Sequence, residues 1–262
     1  MALDLLHVND ISKAIRGLCL GRVYLKGNCA VGATSLIVGT EDPNSLGQDI
    51  PGSQFFRNRS LAATLVQPTA SDVPDAAGVS HSEAVTLVEP TWCPLHLTLA
   101  AATTKAYTTA RGAYVRLTTL PSVCSGLRMI VKDFTEDMVA PEEKYLPGIF
   151  VTWMGTGYNS THITAYGERA QFLVRYALLE ETDRDNRSVL VTGLEQLTNL
   201  IGEDNYLGGT VHESNVARVT PSWAPENQRR GLVLDAAGRQ VIWGDIIVNV
   251  VRTVSWDKVS VA

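Results

Sequence analysis

The N-terminal segment carries a helical pattern of apolar positions. Apolar side chains recur there every three or four residues, as they do along one face of an α-helix. The residues on this face are Val8, Ile11, Ile15 and Leu18. Asn9 or Asp10 is a candidate N-cap, and Gly21 follows the predicted end of the helix. The apolar face is wide enough to pack against a sheet.

Between Arg22 and about Leu120 the pattern changes to short stretches that are rich in β-branched residues. They are separated by segments containing Gly, Pro, Asn and Asp, which favour turns. The predicted strands are residues 22–25, 34–38, 61–66, 83–89, 95–99 and 113–118. Short strands joined by long loops are typical of a small antiparallel barrel or sandwich.

After Pro121 the character of the chain changes again, and further strands are predicted. They are residues 127–131, 148–153, 169–179, 240–243 and 246–254. The strand at 169–179 alternates most clearly, with Gln171 and Arg175 on its polar face. Its apolar face holds Ala170, Phe172, Val174, Tyr176 and Leu178. Such alternation indicates a strand with one face on the core.

A second helix is predicted at residues 188–201, and Gly202 follows it as a stop signal. Its apolar stripe consists of Leu190, Leu194, Leu197 and Ile201. The opposite face consists of Thr192, Glu195, Gln196 and Asn199. Because this face is polar but carries a single charge, that of Glu195, it suits a contact between subunits.

This order of elements predicts an α/β (α+β) fold in which two helices flank one sheet. A barrel of short strands closes on itself, so the first helix is expected to pack on the later sheet beside the second helix. We therefore expect residues 1–21 and 121–262 to form an α/β domain. Residues 22–120 are expected to form an inserted all-β small barrel or sandwich domain with its own core.

The composition excludes several classes of partner. The chain has 262 residues and a net charge of −5, and its charges are scattered. Without a basic run, direct sequence-specific binding of nucleic acid is not expected, and no apolar stretch reaches the length of a membrane span. The N-terminus lacks the basic region of a signal peptide. The four cysteines lack metal-ligand spacing and are interpreted as buried thiols: Cys19, Cys29, Cys93 and Cys124.

No pattern in the chain predicts a catalytic, cofactor-binding or metal site, so the protein is not expected to be an enzyme. His212 and Ser214 are interpreted as part of a polar loop rather than a catalytic pair. Gly155 and Gly157 lack the third glycine of a phosphate-binding loop and are interpreted as a turn. Acidic pairs, such as that of Asp183 and Asp185, leave a metal site open only as a minor alternative.

Two of the five tryptophans are candidate interface residues. Trp153 and Trp243 lie in apolar strands and are expected in the core. Trp223 and Trp256 lie in proline-flanked or terminal segments, where they either anchor an interface or cap the sheet edge. Together with Glu195 they are the predicted interface residues.

The first helix and the last part of the chain resemble tail-terminator, or tail-completion, proteins of tailed bacteriophages. The likeness lies in the order of elements. The shared order begins with a leading helix and a strand at 146–152. It continues with the strand at 169–179 and its turn at 181–186, and ends with an amphipathic helix and closing strands that include 243–250. The segment at 22–120, with the stretches 31–38 and 111–117, is similar to small β-domains of phage neck and baseplate proteins.

The resemblance implies a structural protein of the virion neck that forms a ring, usually a hexamer. Its implied partners are other copies of itself, the tail tube protein, the head–tail connector and, in a contractile tail, the sheath. Assembly would take place in the host cytoplasm. Two alternatives stay open. One is another neck, connector or baseplate protein, and the other is a hydrolase whose active site leaves no local motif.

Overall fold

The computed structural model describes residues 5–41, 49–52, 61–69, 79–88, 95–117, 129–131, 146–162, 165–180, 186–223, 233–234 and 238–255. The helices are α1 (Leu5–Cys19) and α2 (Asn186–Gly202). The first strands are β1 (Arg22–Tyr24), β2 (Ser35–Ile37), β3 (Leu61–Pro68), β4 (Val79–Val88), β5 (His96–Leu99) and β6 (Tyr114–Leu117). The later strands are β7 (Met129–Val131), β8 (Gly148–His162), β9 (Ala165–Leu179), β10 (Glu213–Pro221), β11 (Val233–Leu234) and β12 (Gln240–Ser255).

The predicted fold class is confirmed. The protein is mixed α/β with mostly antiparallel strands, and one of its sheets curls into a half-barrel. Each strand predicted between Arg22 and Leu120 corresponds to one of β1 to β6, and these form one antiparallel sheet in the order β1-β6-β3-β4-β5-β2. A short 3-10 turn, Thr109–Arg111, precedes β6.

The second sheet has the order β10-β12-β9-β8-β7, and β11 pairs with the start of β12. Only the contact between β7 and β8 is parallel among its described pairs. Three of its strands are long: β8 and β9 have 15 residues each, and β12 has 16. The ladder between β9 and β12 runs without interruption from the pair Leu179–Val241 to the pair Ala165–Ser255.

Several local predictions are corrected. The predicted strands at 240–243 and 246–254 are one strand, β12, which continues through Gly244. The strand β10 includes Ser214, which was interpreted as part of a polar loop. Gly155 lies not in a turn but at a β-bulge inside β8, with a φ of 144°. The helix α1 begins at Leu5, so neither Asn9 nor Asp10 is its N-cap.

Both helices pack on the second sheet, as predicted. The helix α1 contacts β8 and α2, but it also packs on β1 of the first sheet, a contact that was not predicted; α2 lies over β9, β10 and β12. The apolar stripes predicted from the sequence are the buried faces, with Ile15, Leu190 and Leu197 fully buried. The facing side of β9 is buried as predicted: Ala170, Phe172, Val174, Tyr176 and Leu178.

Two glycines let α2 approach the sheet closely. A Cβ atom on Gly193 of α2 would lie 2.5 Å from Cε1 of Tyr176 on β9. A Cβ atom on Gly244 of β12 would lie 2.8 Å from Cδ2 of Leu194 and would also collide with its Cδ1. The tyrosine ring therefore fits against the helix backbone, and the leucine fits against the strand backbone.

The buried core continues from one sheet to the other. One cluster joins residues of α1, residues of the first sheet such as Val23 and Leu36, and residues of the second sheet such as Phe172 and Ile246. The sheets are separate in hydrogen bonding but share this apolar contact. The division into a domain at 22–120 and a discontinuous α/β domain stays a prediction.

The sheet face opposite the helices carries a second, smaller cluster. Its buried members are Leu146, Phe150, Ala177, Val241 and Trp243. Arg175 lies on this face, as predicted, but it is buried rather than solvated. Its Nε and Nη2 donate to Oδ1 and Oδ2 of Asp245 at 2.6 and 2.8 Å, and its guanidinium lies 5.3 Å from the Trp243 ring.

Candidate functional site: an outer surface and a pocket

The predicted interface residues Glu195 and Trp223 lie on the same side of the molecule. Glu195 is exposed on α2, and Trp223, just past the end of β10, is half-buried. The guanidinium of Arg187, in the first turn of α2, lies 5.7 Å from the Trp223 ring. Since α2 rises about 1.5 Å per residue, Glu195 lies roughly 12 Å further along the helix. Trp256, the third predicted residue, lies outside the described residues.

The helix α2 runs alongside β10. Arg187 and Trp223 meet at one end, and Gly202 lies beside Val216 at the other. Val219 of β10 is paired with Ile246 of β12, whose side chain is buried under the helices, so Val219 lies on the helix side. It is 41 % exposed. We call the outer face of α2 together with Val219 and Trp223 the α2–β10 surface.

The α2–β10 surface is weakly charged for a solvated helix face. Its exposed helical residues are Arg187, Ser188, Val189, Val191, Thr192, Glu195, Asn199 and Gly202. Val189 and Val191 are 51 % and 41 % exposed, and Glu195 is the single charge in the middle of this face. Arg187 at its end forms a long ion pair of 3.6 Å with Glu180. Exposed valines among neutral polar residues are typical of a protein contact rather than of a fully solvated face.

A pocket lies where α1, the end of β1 and a turn after α2 meet; we call it the junction pocket. It has a volume of about 160 Å³ and is lined by Asp10, Lys13, Ala14, Tyr24, Leu25, Lys26, Leu207, Gly208 and Thr210. Nζ of Lys26 donates to Oγ1 of Thr210 at 3.0 Å. Nζ of Lys13 lies 4.7 Å from the centre of the Tyr24 ring.

The turn on one side of this pocket has an unusual backbone. Leu207, Gly208 and Gly209 are consecutive residues with φ of 44°, 63° and 75°. A left-handed conformation is costly for leucine, so the surrounding structure must hold it in place. The buried carboxylate of Asp204 does so by accepting the N–H groups of Tyr206 at 3.3 Å and Gly208 at 3.0 Å.

The same turn connects the two sheets. A Cβ atom on Gly209 would collide with the carbonyl oxygen of Val38, which follows β2, so only glycine allows this approach. Oγ1 of Thr40 donates to the carbonyl oxygen of Gly209 at 2.8 Å. Thr210 is therefore held against Lys26 by the contacts of this turn with the segment that follows β2.

The electrostatics of the junction pocket are dominated by Lys26. Burial lowers the pKa of its ammonium group to about 8. The carboxylate of Asp10 opposes this shift by raising the pKa, and the neighbouring charge of Lys13 lowers it further. Desolvation prevails because a partly enclosed ammonium loses hydration that a distant carboxylate does not replace.

The other reactive side chains are engaged in structural contacts. Ser214 is buried, and its hydroxyl donates to the carbonyl oxygen of Asp204 at 3.2 Å. Burial raises the pKa of the Cys29 thiol, which disfavours the nucleophilic thiolate. Cys19 is also buried, while Cys93 and Cys124 lie outside the described residues, as do Asp183 and Asp185. Within the described ranges, no group of three or more His, Cys, Asp or Glu side chains is arranged to hold a metal ion.

No protein-family model and no curated protein sequence matches the chain. In the described part of the chain no helix has both the length and the apolar character needed to cross a membrane. The relationship to tail terminators stays a prediction from the order of elements. The assignment of Glu195 and Trp223 to an interface stays a prediction. The junction pocket was not predicted; the pair Gly208-Gly209 was the signal available for it in the sequence.

Proposed function

We propose that this protein is a ring-forming structural protein of a tailed-phage virion, a tail terminator that caps the tail tube and meets the head connector. The observation that carries the proposal is the α2–β10 surface. It contains exposed Val189, Val191 and Val219 around Glu195, with Arg187 and the half-buried Trp223 at one end. Aromatic anchors surrounded by weakly charged surface are the usual composition of a protein interface.

The position of this surface supports a ring. It lies at one edge of the second sheet, where β10 is the outermost of the described strands. A closed ring requires a head-to-tail contact between two different faces of each subunit, related by rotation. A surface confined to one edge can supply one of these faces. Six copies are proposed because the resemblance to tail terminators implies a hexamer.

The experiment compares assembly of the wild type with that of two charge-reversal variants. Glu195→Lys reverses the charge within the α2–β10 surface, and Glu41→Lys makes the same change at an exposed residue outside it. Both side chains are exposed, so both variants should melt within a few degrees of the wild type. Native mass spectrometry should give a closed oligomer, most simply a hexamer, for the wild type and for Glu41→Lys.

The Glu195→Lys protein should show a reduced oligomer fraction in sedimentation velocity, because reversing the charge removes its electrostatic complementarity with the facing surface. An undiminished oligomer peak for Glu195→Lys would show that the α2–β10 surface is not part of the interface. The proposed function itself would be refuted if the wild type stayed monomeric at all concentrations and also failed to cap purified tail tubes in electron micrographs.

A further inference from the structure

We infer that the junction pocket is a binding site for a single small oxyanion, a phosphate or a carboxylate group. This inference does not depend on the proposed function. Its first support is size. A volume of about 160 Å³ is well below the 300–1,000 Å³ that is usual for drug-sized ligands, but it exceeds the roughly 30 Å³ of one water molecule. The pocket therefore suits one compact polar group.

The second support is the hydrogen-bonding capacity of Lys26. An ammonium group has three N–H donors. Within the described part of the chain, Lys26 gives one of them to Thr210 and makes no ion pair. Two donors therefore remain for a ligand. An oxyanion supplies several acceptor oxygens together with the opposite charge.

The third support is the charge of the lining. Lys13 and Lys26 face one carboxylate, that of Asp10, so the lining has a net charge of +1 in a chain with a net charge of −5. Asp10 is exposed at the rim, whereas Lys26 is half-buried. An anion at Lys26 would therefore be attracted by the inner charge and only weakly repelled through solvent at the rim.

The structure also indicates which donors the ligand would use. The N–H of Gly208, in the strained turn, is already donated to the carboxylate of Asp204. The turn therefore contributes by holding Thr210, and the ammonium group of Lys26 is the donor that contacts the anion. Because the turn that carries Thr210 is fixed by Asp204 and by the segment after β2, the pocket is preorganised.

The test is equilibrium dialysis with radiolabelled inorganic phosphate at constant ionic strength, together with acetylation of individual lysines measured by mass spectrometry at pH 8. We expect one saturable phosphate per chain and slower acetylation of Lys26 when phosphate is bound. Lys26→Met should lose the binding. Lys105→Met should retain it, since Lys105 lies on an exposed loop where it donates to the carbonyl oxygen of Ser82. Asp10→Asn should bind phosphate about threefold more tightly, because one like charge is removed.

Competition with acetate identifies the source of the group. If acetate displaces phosphate, carboxylate side chains of other proteins qualify as ligands; if it does not, the site is selective for phosphate. The inference is overturned if Lys26→Met binds as much phosphate as the wild type, or if phosphate leaves the acetylation of wild-type Lys26 unchanged. The second readout needs no variant, so it holds even if Lys26→Met fails to fold. Both readouts apply to monomer and oligomer alike, which keeps this result separate from that of the assembly experiment.

Discussion

The contact between Leu194 of α2 and Gly244 of β12 allows a paired substitution experiment. Leu194 is 4 % exposed, and its Cδ2 lies where a Cβ atom on Gly244 would approach to 2.8 Å. Shortening the leucine and enlarging the glycine therefore change the same space in opposite directions. We expect Leu194→Ala and Gly244→Ala to destabilise the protein singly and to compensate partly when combined.

The expected magnitudes follow from this geometry. Leu194→Ala removes three buried carbon atoms, each worth about 0.8 kcal/mol, and leaves a cavity, so it should cost roughly 2–5 kcal/mol. Gly244→Ala overpacks the contact and should cost about 1–3 kcal/mol, although alanine is otherwise acceptable at this position, where φ is not positive. In the double variant the added methyl group fills part of the cavity. Its cost should be at least ~1 kcal/mol below the sum of the two single costs.

Urea or guanidinium unfolding measured by circular dichroism gives these free energies. Combining Leu200→Ala with Gly244→Ala is the matched control. Leu200 is equally buried, at 4 % exposure, but lies about 9 Å further along the helix. That pair should be additive within about 0.5 kcal/mol. If the free-energy costs of Leu194→Ala and Gly244→Ala are also additive, the direct contact between Leu194 and Gly244 is refuted.

Three further predictions concern the ion pair, the lysine and the insertion. Asp245→Ala should cost about 3–5 kcal/mol in chemical unfolding because it leaves the charge of Arg175 buried, whereas replacing both residues with leucine should cost much less. Lys26 has a lowered pKa of about 8 when folded, so the unfolded chain binds more protons between pH 8 and 10.5 and stability should gain from this group as pH rises through that window. Burial raises the pKa of the Cys29 thiol, so the contribution of Cys29 to stability falls as pH rises, opposite to that of Lys26. The test is therefore a comparison of the pH dependence of the unfolding free energy between the wild type and Lys26→Met. Identical pH profiles would contradict the prediction for Lys26. Replacing residues 22–120 with a short Gly/Ser linker should leave a cooperative but less stable melt. An insoluble or molten product would refute the division into two domains.

The sequence determined most of the elements, because local patterns are sufficient for them. Strands β1 to β6 were predicted from β-branched residues between turn formers, and their positions are confirmed. The helix α2 and its buried face followed from the recurrence of leucines every three or four residues. The alternation along β9 identified its core-facing side. These features depend on the period of a helix or a strand, which is readable from neighbouring residues.

Other features depend on partners that are distant in sequence, and only the tertiary structure determined them. β10 alternates poorly and is partly exposed, so its pairing with β12 left no pattern. In the sequence Gly244 suggests a break between two strands. In the structure it lies inside β12, and the side chain of Leu194 of α2 packs against it. Arg175 reads as an outward residue, and its burial is made possible by Asp245, 70 positions later.

The junction pocket shows the same dependence most clearly. Lys26 and Thr210 are 184 positions apart and meet only because the turn after α2 packs against the end of β2. A single lysine after a short strand has no distinctive sequence context. Its pKa is lowered by burial among residues from three separate segments, and burial is a property of the packed chain rather than of its local sequence.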